Sequence, residues 1–183
     1  MNSQQTGCGN ALKRIGSGDM FDTVSESDFK SAMKNLAAGV TLITSVSNTK
    51  RGGMTATAVC SLSAAPAQLI VCVNRQNSTH QMIVQSRKFC VNVLAADQSE
   101  VAQLFSNHHA RTERFERGQW SMLKTGAPVL MDALVAFDCE LGEAIESGTH
   151  SIFVGRVVDV HAREQSSPLL YYRSGYTGIS AHA

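Results

Sequence analysis

Short apolar runs separated by turn formers constrain this chain more than any other feature. Val135, Phe137, Cys139 and Leu141 alternate with Ala136, Asp138 and Glu140, and Ile152, Val154, Val158 and Val160 keep the same period within 151–161. Successive side chains of a strand point to opposite faces, so 135–141 predicts a strand with one wet face. Residues 40–47, 69–74, 89–94 and 169–172 are further runs of strand length, and the unbroken apolarity of 69–74 predicts cover on both faces. Helical signals are fewer. Ser25-x-x-Asp28 and Ser78-x-x-Gln81 have the form of capping boxes, and Asp97-x-x-Glu100 marks a third start. Phe29, Met33, Leu36 and Ala37 follow the first at helical spacing, with Gly39 as the expected stop. The second runs to about Ser86, and the third carries Val101, Leu104 and Phe105 on its apolar face. Many short strands with few, short helices predict a mainly β protein, a barrel decorated by helices, and argue against a doubly wound parallel sheet.

One stretch is too small to fill a core. Residues 52–66 read Gly-Gly-Met-Thr-Ala-Thr-Ala-Val-Cys-Ser-Leu-Ser-Ala-Ala-Pro, and the loop formers of 48–53 make this the returning arm of a hairpin that begins at 40–47. As a strand it shows the hydroxyls of Thr55 and Thr57 on one face and the methyls of Ala56 and Ala58 on the other. Such residues bury little apolar area, so their use is access: a flat ligand can approach the backbone while Thr55, Thr57, Ser61 and Ser63 offer hydroxyls. A small-residue strand at a crowded crossing of two sheets has the same composition.

Composition excludes several classes. The chain has 183 residues, a length for one domain, with 16 Lys+Arg against 15 Asp+Glu and a net charge of +1. There is no global field to attract nucleic acid or an anionic membrane, and no apolar run long enough to span one; a cytoplasmic protein is expected. Residues 1–24 are polar, Gly- and Ser-rich and aperiodic, and are expected to form a disordered tail before a domain at 25–183. The segment 107–118 reads as an exposed loop or lid. Cys8, Cys60, Cys72, Cys90 and Cys139 are odd in number and form no Cys-x-x-Cys pair, so neither a disulfide framework nor a metal site is expected, and His108-His109 reads as a solvated loop. A Gly-x-Gly-x-x-Gly between strand and helix, a Gly-Lys-Ser/Thr phosphate loop, a His-Glu-x-x-His helix and a Gly-x-Ser-x-Gly elbow are all missing from the sequence.

Six segments in order carry a resemblance. Met54-Thr55-Ala56-Thr57-Ala58, Phe89-Cys90-Val91-Asn92-Val93-Leu94, Thr125-Gly126-Ala127-Pro128-Val129-Leu130, Ala136-Phe137-Asp138-Cys139, Gly148-Thr149-His150 and Pro168-Leu169-Leu170-Tyr171-Tyr172-Arg173 resemble the short-chain flavin reductases, the reductase components of two-component flavin-dependent monooxygenases. The resemblance spans about residues 29–178. It implies an FMN-binding split β-barrel that forms a homodimer, binds FMN or FAD, oxidises NADH or NADPH, and hands reduced flavin to a separate oxygenase.

The same resemblance implies where ligands sit. Thr55, Ala56, Thr57 and Ala58, with Ser61 and Leu62, match the stretch that lines the isoalloxazine and ribityl chain. Ser78, Thr79 and His80 match the segment opening a short helix, whose N-terminus suits a flavin phosphate. Ser86, Arg87 and Lys88, with Phe89 beyond them, match the turn into the next strand, where a cation would pair with phosphate. Arg87 stands where family members often have Gly. Gly148, Thr149 and His150 match a Gly-Asp-His signature associated with the nicotinamide nucleotide, with Thr149 in place of Asp; Tyr176, near the C-terminus, is a candidate to close over that nucleotide, the alternative being an ordinary surface tyrosine. Hydride transfer between two bound rings requires positioning rather than a general base; His150 is the one candidate for a catalytic role. A non-catalytic flavin carrier, or a reductase of a corrin-bound cobalt or a ferric chelate, would share these motifs.

Overall fold

Ser25 opens the first helix, α1 (Glu26–Met33), by accepting a hydrogen bond from the Asp28 backbone N–H at 3.1 Å while its hydroxyl donates to the Asp28 carboxylate at 2.7 Å. The structure, a computed structural model, describes residues 21–107, 113–163 and 167–179. α1 stops at Met33, not at Gly39, which lies in the short strand β1 (Ala38–Gly39). The chain then forms β2 (Thr41–Ser47), β3 (Lys50–Ala56), β4 (Val59–Ala64), β5 (Ala67–Asn74), α2 (Ser78–Ser86), β6 (Lys88–Val93) and α3 (Ser99–Ser106). After these come β7 (Trp120–Met122), β8 (Pro128–Leu130), β9 (Val135–Ser147), β10 (His150–Ala162), β11 (Leu170–Tyr172) and β12 (Gly175–Thr177).

Seven strands form one antiparallel sheet in the order β3-β2-β6-β9-β10-β5-β4. β3 and β4 are its two outer strands, yet only Thr57 and Ala58 separate them in the chain. The sheet therefore curls until its edges converge at those two residues, which is the expected split barrel. The small-residue stretch is accordingly two strands on opposite edges, not one returning arm. A small sheet β1-β11-β12 is tied to the barrel through Val40, Leu94 and Leu169, whose backbones exchange hydrogen bonds of 2.9 Å. Among the described residues no helix is long and apolar enough to cross a membrane.

The hairpin turn between β2 and β3 is also shorter than expected. Asn48 and Thr49 both take positive φ (48° and 66°), the geometry of a two-residue turn that matches strand twist, and Ser47 pairs directly with Lys50. Gly52 and Gly53 are thus strand residues. Their missing side chains make room: a Cβ on Gly53 would lie 2.7 Å from the Phe105 ring on α3, and one on Gly52 2.8 Å from Met82 on α2.

Core packing explains the other departures. Ile43, Val71, Val73, Ile83, Phe89, Val91 and Phe153 fill the barrel, while Val40, Leu42, Leu94, Phe105, Leu130 and Leu169 pack beneath α3. β5 buries Leu69, Val71 and Val73 but leaves Ile70 and Cys72 half-exposed, so only one of its faces is fully covered. In β9 the expected wet face is dry at Ala136 and Asp138, both fully buried. Asp138 is there because its carboxylate accepts from the Thr125 backbone N–H and hydroxyl, pinning the segment that leads into β8. Asn92 does the same further along, donating to the Leu42 carbonyl and accepting from the Leu130 N–H at 2.8 Å. α2 is capped by Asn77 rather than Ser78, and α3 starts after Gln98 with no side-chain cap from Asp97. The Gln98 amide instead ties the Ala95 N–H to the Asp132 carbonyl. Within the segment read as an open loop, Arg114 is buried and donates to the carbonyls of Gly53 (2.6 Å) and Asn107 (2.7 Å). His108 and His109, and residues 1–20 of the expected tail, lie outside the described residues.

Candidate functional site

Thr57 and Ala58 link the two edges of the sheet and are exposed, with their carbonyls accepting from the Val59 and Cys72 N–H groups at 3.1 and 3.0 Å. They contribute to the wall of a groove of about 530 Å³ whose apolar lining comes from Phe29, Met33 and Leu36, in α1 and the turn after it, and from Tyr171 and Tyr172 of β11, with Lys30, Lys34, Arg173 and Ser174 also bordering it. Among the described residues the apolar stripe of α1 stays open, with Phe29 56% and Leu36 62% exposed. Tyr176 stands edge-on to Tyr171, their ring centres 5.4 Å apart, and burial raises its phenol pKa. The volume and the two opposed apolar walls fit a flat aromatic ligand.

A second, polar pocket of about 540 Å³ opens where the end of β5, the first turn of α2 and the β9–β10 turn meet. Gly148 (φ +54°) and Thr149 form that turn, and the Arg75 N–H donates to the Thr149 carbonyl at 3.0 Å. His80 reaches in from α2, its Nε2 2.9 Å from the Ser151 hydroxyl and its ring 5.0 Å from Phe153. Burial, then the nearby Arg75 charge, hold His80 below its ordinary pKa of 6.5. Arg75 and Glu146 form an ion pair of 3.2 Å at the rim. His150 is exposed and shares a 2.8 Å hydrogen bond with the Thr149 hydroxyl through Nδ1.

A third depression, of about 460 Å³, is basic. Ser86, Arg87 and Lys88 line it together with Lys124, Thr125, Leu141 and Glu140, whose carboxylate is paired with Arg156, while Lys124 stands 3.9 Å from Asp159. Arg87 takes the left-handed conformation (φ 59°) that ends α2, which is why Gly is a natural occupant of this position. Its guanidinium donates to the Leu141 carbonyl at 2.8 Å. Lys124 donates to the Val158 carbonyl. The half-buried Lys88 ammonium faces Gly126 and forms no ion pair among the described residues, leaving it available to an anion.

The residues singled out in the sequence thus fall into distinct places. Thr57 and Ala58 share the apolar groove, His80, Gly148 and Thr149 the polar pocket, and Ser86 and Lys88 the basic one. Ser61 and Leu62 are exposed on the edge strand β4, and Ser78 is exposed at the start of α2. His150 stands exposed beside the polar pocket without lining it, and Tyr176 lies against Tyr171 instead of at that pocket; the other four are turned away from all three. Ala56 and Phe89 belong to the barrel core, and the Ala56 carbonyl accepts from the Thr41 hydroxyl at 2.7 Å. The Thr55 hydroxyl is committed to the Ala102 carbonyl at 2.6 Å. Thr79 is 1% exposed, with a buried hydroxyl that has no partner among the described residues. Arg75, Glu146 and Lys124 were missed. Arg75 and Glu146 lie 71 positions apart and meet only because β5 and β9 both flank β10.

Comparison with known proteins shows the family. Residues 33–180 match the family model described as flavin reductase like domain. The chain is 40% identical over 154 residues to the FMN reductase (NADH) RutF of Stutzerimonas stutzeri, covering 84% of this chain and 88% of that protein. The crystal structure of a candidate flavin reductase from Haemophilus somnus superposes with a TM-score of 0.83 at 38% identity, over 85% of this chain and 100% of the other. BorF, the flavin reductase component of a bacterial two-component tryptophan halogenase, gives 0.79 at 32% identity, over 86% and 100%.

Proposed function

Because the chain belongs to the flavin reductase-like family, we propose that it is an oxidoreductase that oxidises NADH, reduces FMN, and releases the reduced flavin to a separate oxygenase. The observation that carries this reading is the Thr57–Ala58 crossover, two small exposed residues against a groove flanked by α1 and Tyr171. NADH as donor and FMN as acceptor follow the name of the relative at 40% identity. The halogenase component BorF supports a separate flavin-consuming partner.

In this reading the flavin ring lies along Thr57 and Ala58, and Lys88 and Lys124 hold its phosphate. The turn Gly148–Thr149, with His150 and His80, receives the nicotinamide nucleotide. The bound pair supplies the hydride chemistry. What the chain contributes is placement: apolar walls that exclude water, backbone groups at the sheet junction, and cations that fix the phosphate. The apolar groove, the polar pocket and the basic depression are separate features of one chain, and the stripe of α1 is uncovered. Both observations support a homodimer in which a second copy helps to close the site. The non-catalytic and alternative-acceptor readings gain no specific support from the geometry.

The test is anaerobic mixing of the protein, FMN and NADH with the flavin absorbance followed in time. Bleaching with turnover is expected. Thr57→Leu, which fills the groove edge with a side chain, is expected to abolish flavin binding by fluorescence quenching in a folded protein. An unchanged dissociation constant would remove the flavin from this groove.

A further inference from the structure

The polar pocket holds a charged pair that the reading above does not use. Glu146 on β9 stands opposite Ser151 on β10, and Ser151 in turn holds His80. The Glu146 carboxylate meets Arg75 across the rim, both side chains being about half-exposed or more (66% and 46%). An ion pair this exposed contributes at most about 1 kcal/mol to folding, so stability does not explain its position. Its chemistry does bear on a nucleotide.

We propose that Glu146, oriented by Arg75, is a specificity determinant that admits a nicotinamide dinucleotide with free ribose hydroxyls and rejects its 2′-phosphorylated form. This rests on the placement of the nucleotide at the Gly148–Thr149 turn, with its adenosine ribose, the one that bears the 2′-phosphate, at Glu146. A ribose diol donates two hydrogen bonds to a carboxylate, whereas a 2′-phosphate brings about −1.5 to −2 charges against it. Arg75 does not reverse the preference, because its guanidinium is already held 3.2 Å from Glu146 and its backbone N–H is held by Thr149. The Glu146 charge beside that cation weakens its pull on a 2′-phosphate. Discrimination here is the introduction of a repulsive group as much as an attractive one.

The test compares kcat/KM for NADH and NADPH in the wild type and in Glu146→Gln. The variant keeps the size of the side chain and removes its charge. The NADH-to-NADPH ratio is expected to fall at least tenfold, with the NADPH value rising. A ratio taken within one protein does not depend on the fraction folded. A second readout needs no turnover: calorimetric titration with ADP-ribose and with its 2′-phosphate should show the same collapse of preference. A kinetic ratio within twofold of the wild type overturns the proposal. His150→Ala distinguishes the two levels of the argument. If it leaves the Michaelis constant for NADH unchanged, the placement of His150 at the nucleotide fails. The Glu146→Gln ratio still decides the fate of Glu146 by itself.

Discussion

Gly155 sits at the middle of β10 where a methyl group would lie 2.5 Å from Phe89 Cζ and 3.2 Å from Cys139 Cβ. Phe89 is fully buried and has nowhere to retreat. Gly155→Ala is therefore expected to lose about 1–3 kcal/mol, read as a lower urea midpoint at unchanged m-value. His80 gives a pH signature. Its folded pKa lies below 6.5, so the unfolded chain takes up a proton first as pH falls, and stability declines from about pH 6.5 downward. His80→Gln removes that titration. The stability difference between wild type and His80→Gln should shift against the wild type between pH 7.5 and pH 5.5; a difference constant over that range would show that His80 titrates alike in both states. The thiols behave in the opposite sense to a reactive site: burial, then the Asp138 charge, push Cys139 up to about 12, and burial raises Cys90 as well. Both are expected to stay inert to a thiol reagent until the protein unfolds.

At the scale of elements, the end of α2 carries the clearest test. Arg87 adopts φ 59° and its N–H closes the helix on the Ile83 carbonyl. Arg87→Gly relieves the left-handed strain but loses the guanidinium bond to Leu141, two effects of about 1 kcal/mol each that nearly cancel. Arg87→Val loses the same bond and adds a β-branched side chain in the left-handed region, so it should be less stable than Arg87→Gly by more than 1 kcal/mol in thermal or chemical unfolding. Equal stability of the two variants would mean that the turn relaxes. Helix starts were legible only in part. The Ser25 cap is local and reads correctly, but the cap of α2 is Asn77, one residue before Ser78, and α3 starts after Gln98 with no side-chain cap at all. A one-residue choice between adjacent polar side chains depends on where the preceding strand delivers the backbone, which no four-residue pattern encodes.

For the whole molecule, a homodimer is the expected assembly, because the α1 stripe, Tyr171 and Tyr172 all remain open in a single chain. Light scattering at micromolar concentration should give twice the 19.7 kDa chain mass. A mass of one chain would refute it and would require the flavin groove to work within one protomer.

The sequence by itself determined the class of fold and the family. Strand periodicity needs only local alternation, and six short segments in order were enough to point to a flavin reductase, a reading that the match over residues 33–180 supports. It also pointed to 52–66 as special, through the absence of bulk. Tertiary structure decided the rest. Only the curling of the sheet shows that this stretch is split between two edges, with Thr57 and Ala58 at the junction and Ala56 turned into the core. Asp138 and Arg114 are charged residues in polar-looking segments, and they are buried because distant backbone groups satisfy them. Arg75 and Glu146 become a pair only when β5 and β9 are laid on either side of β10. Local patterns report which residues share a face of one element, whereas a site is a contact between elements, and that contact exists only once the chain has closed on itself.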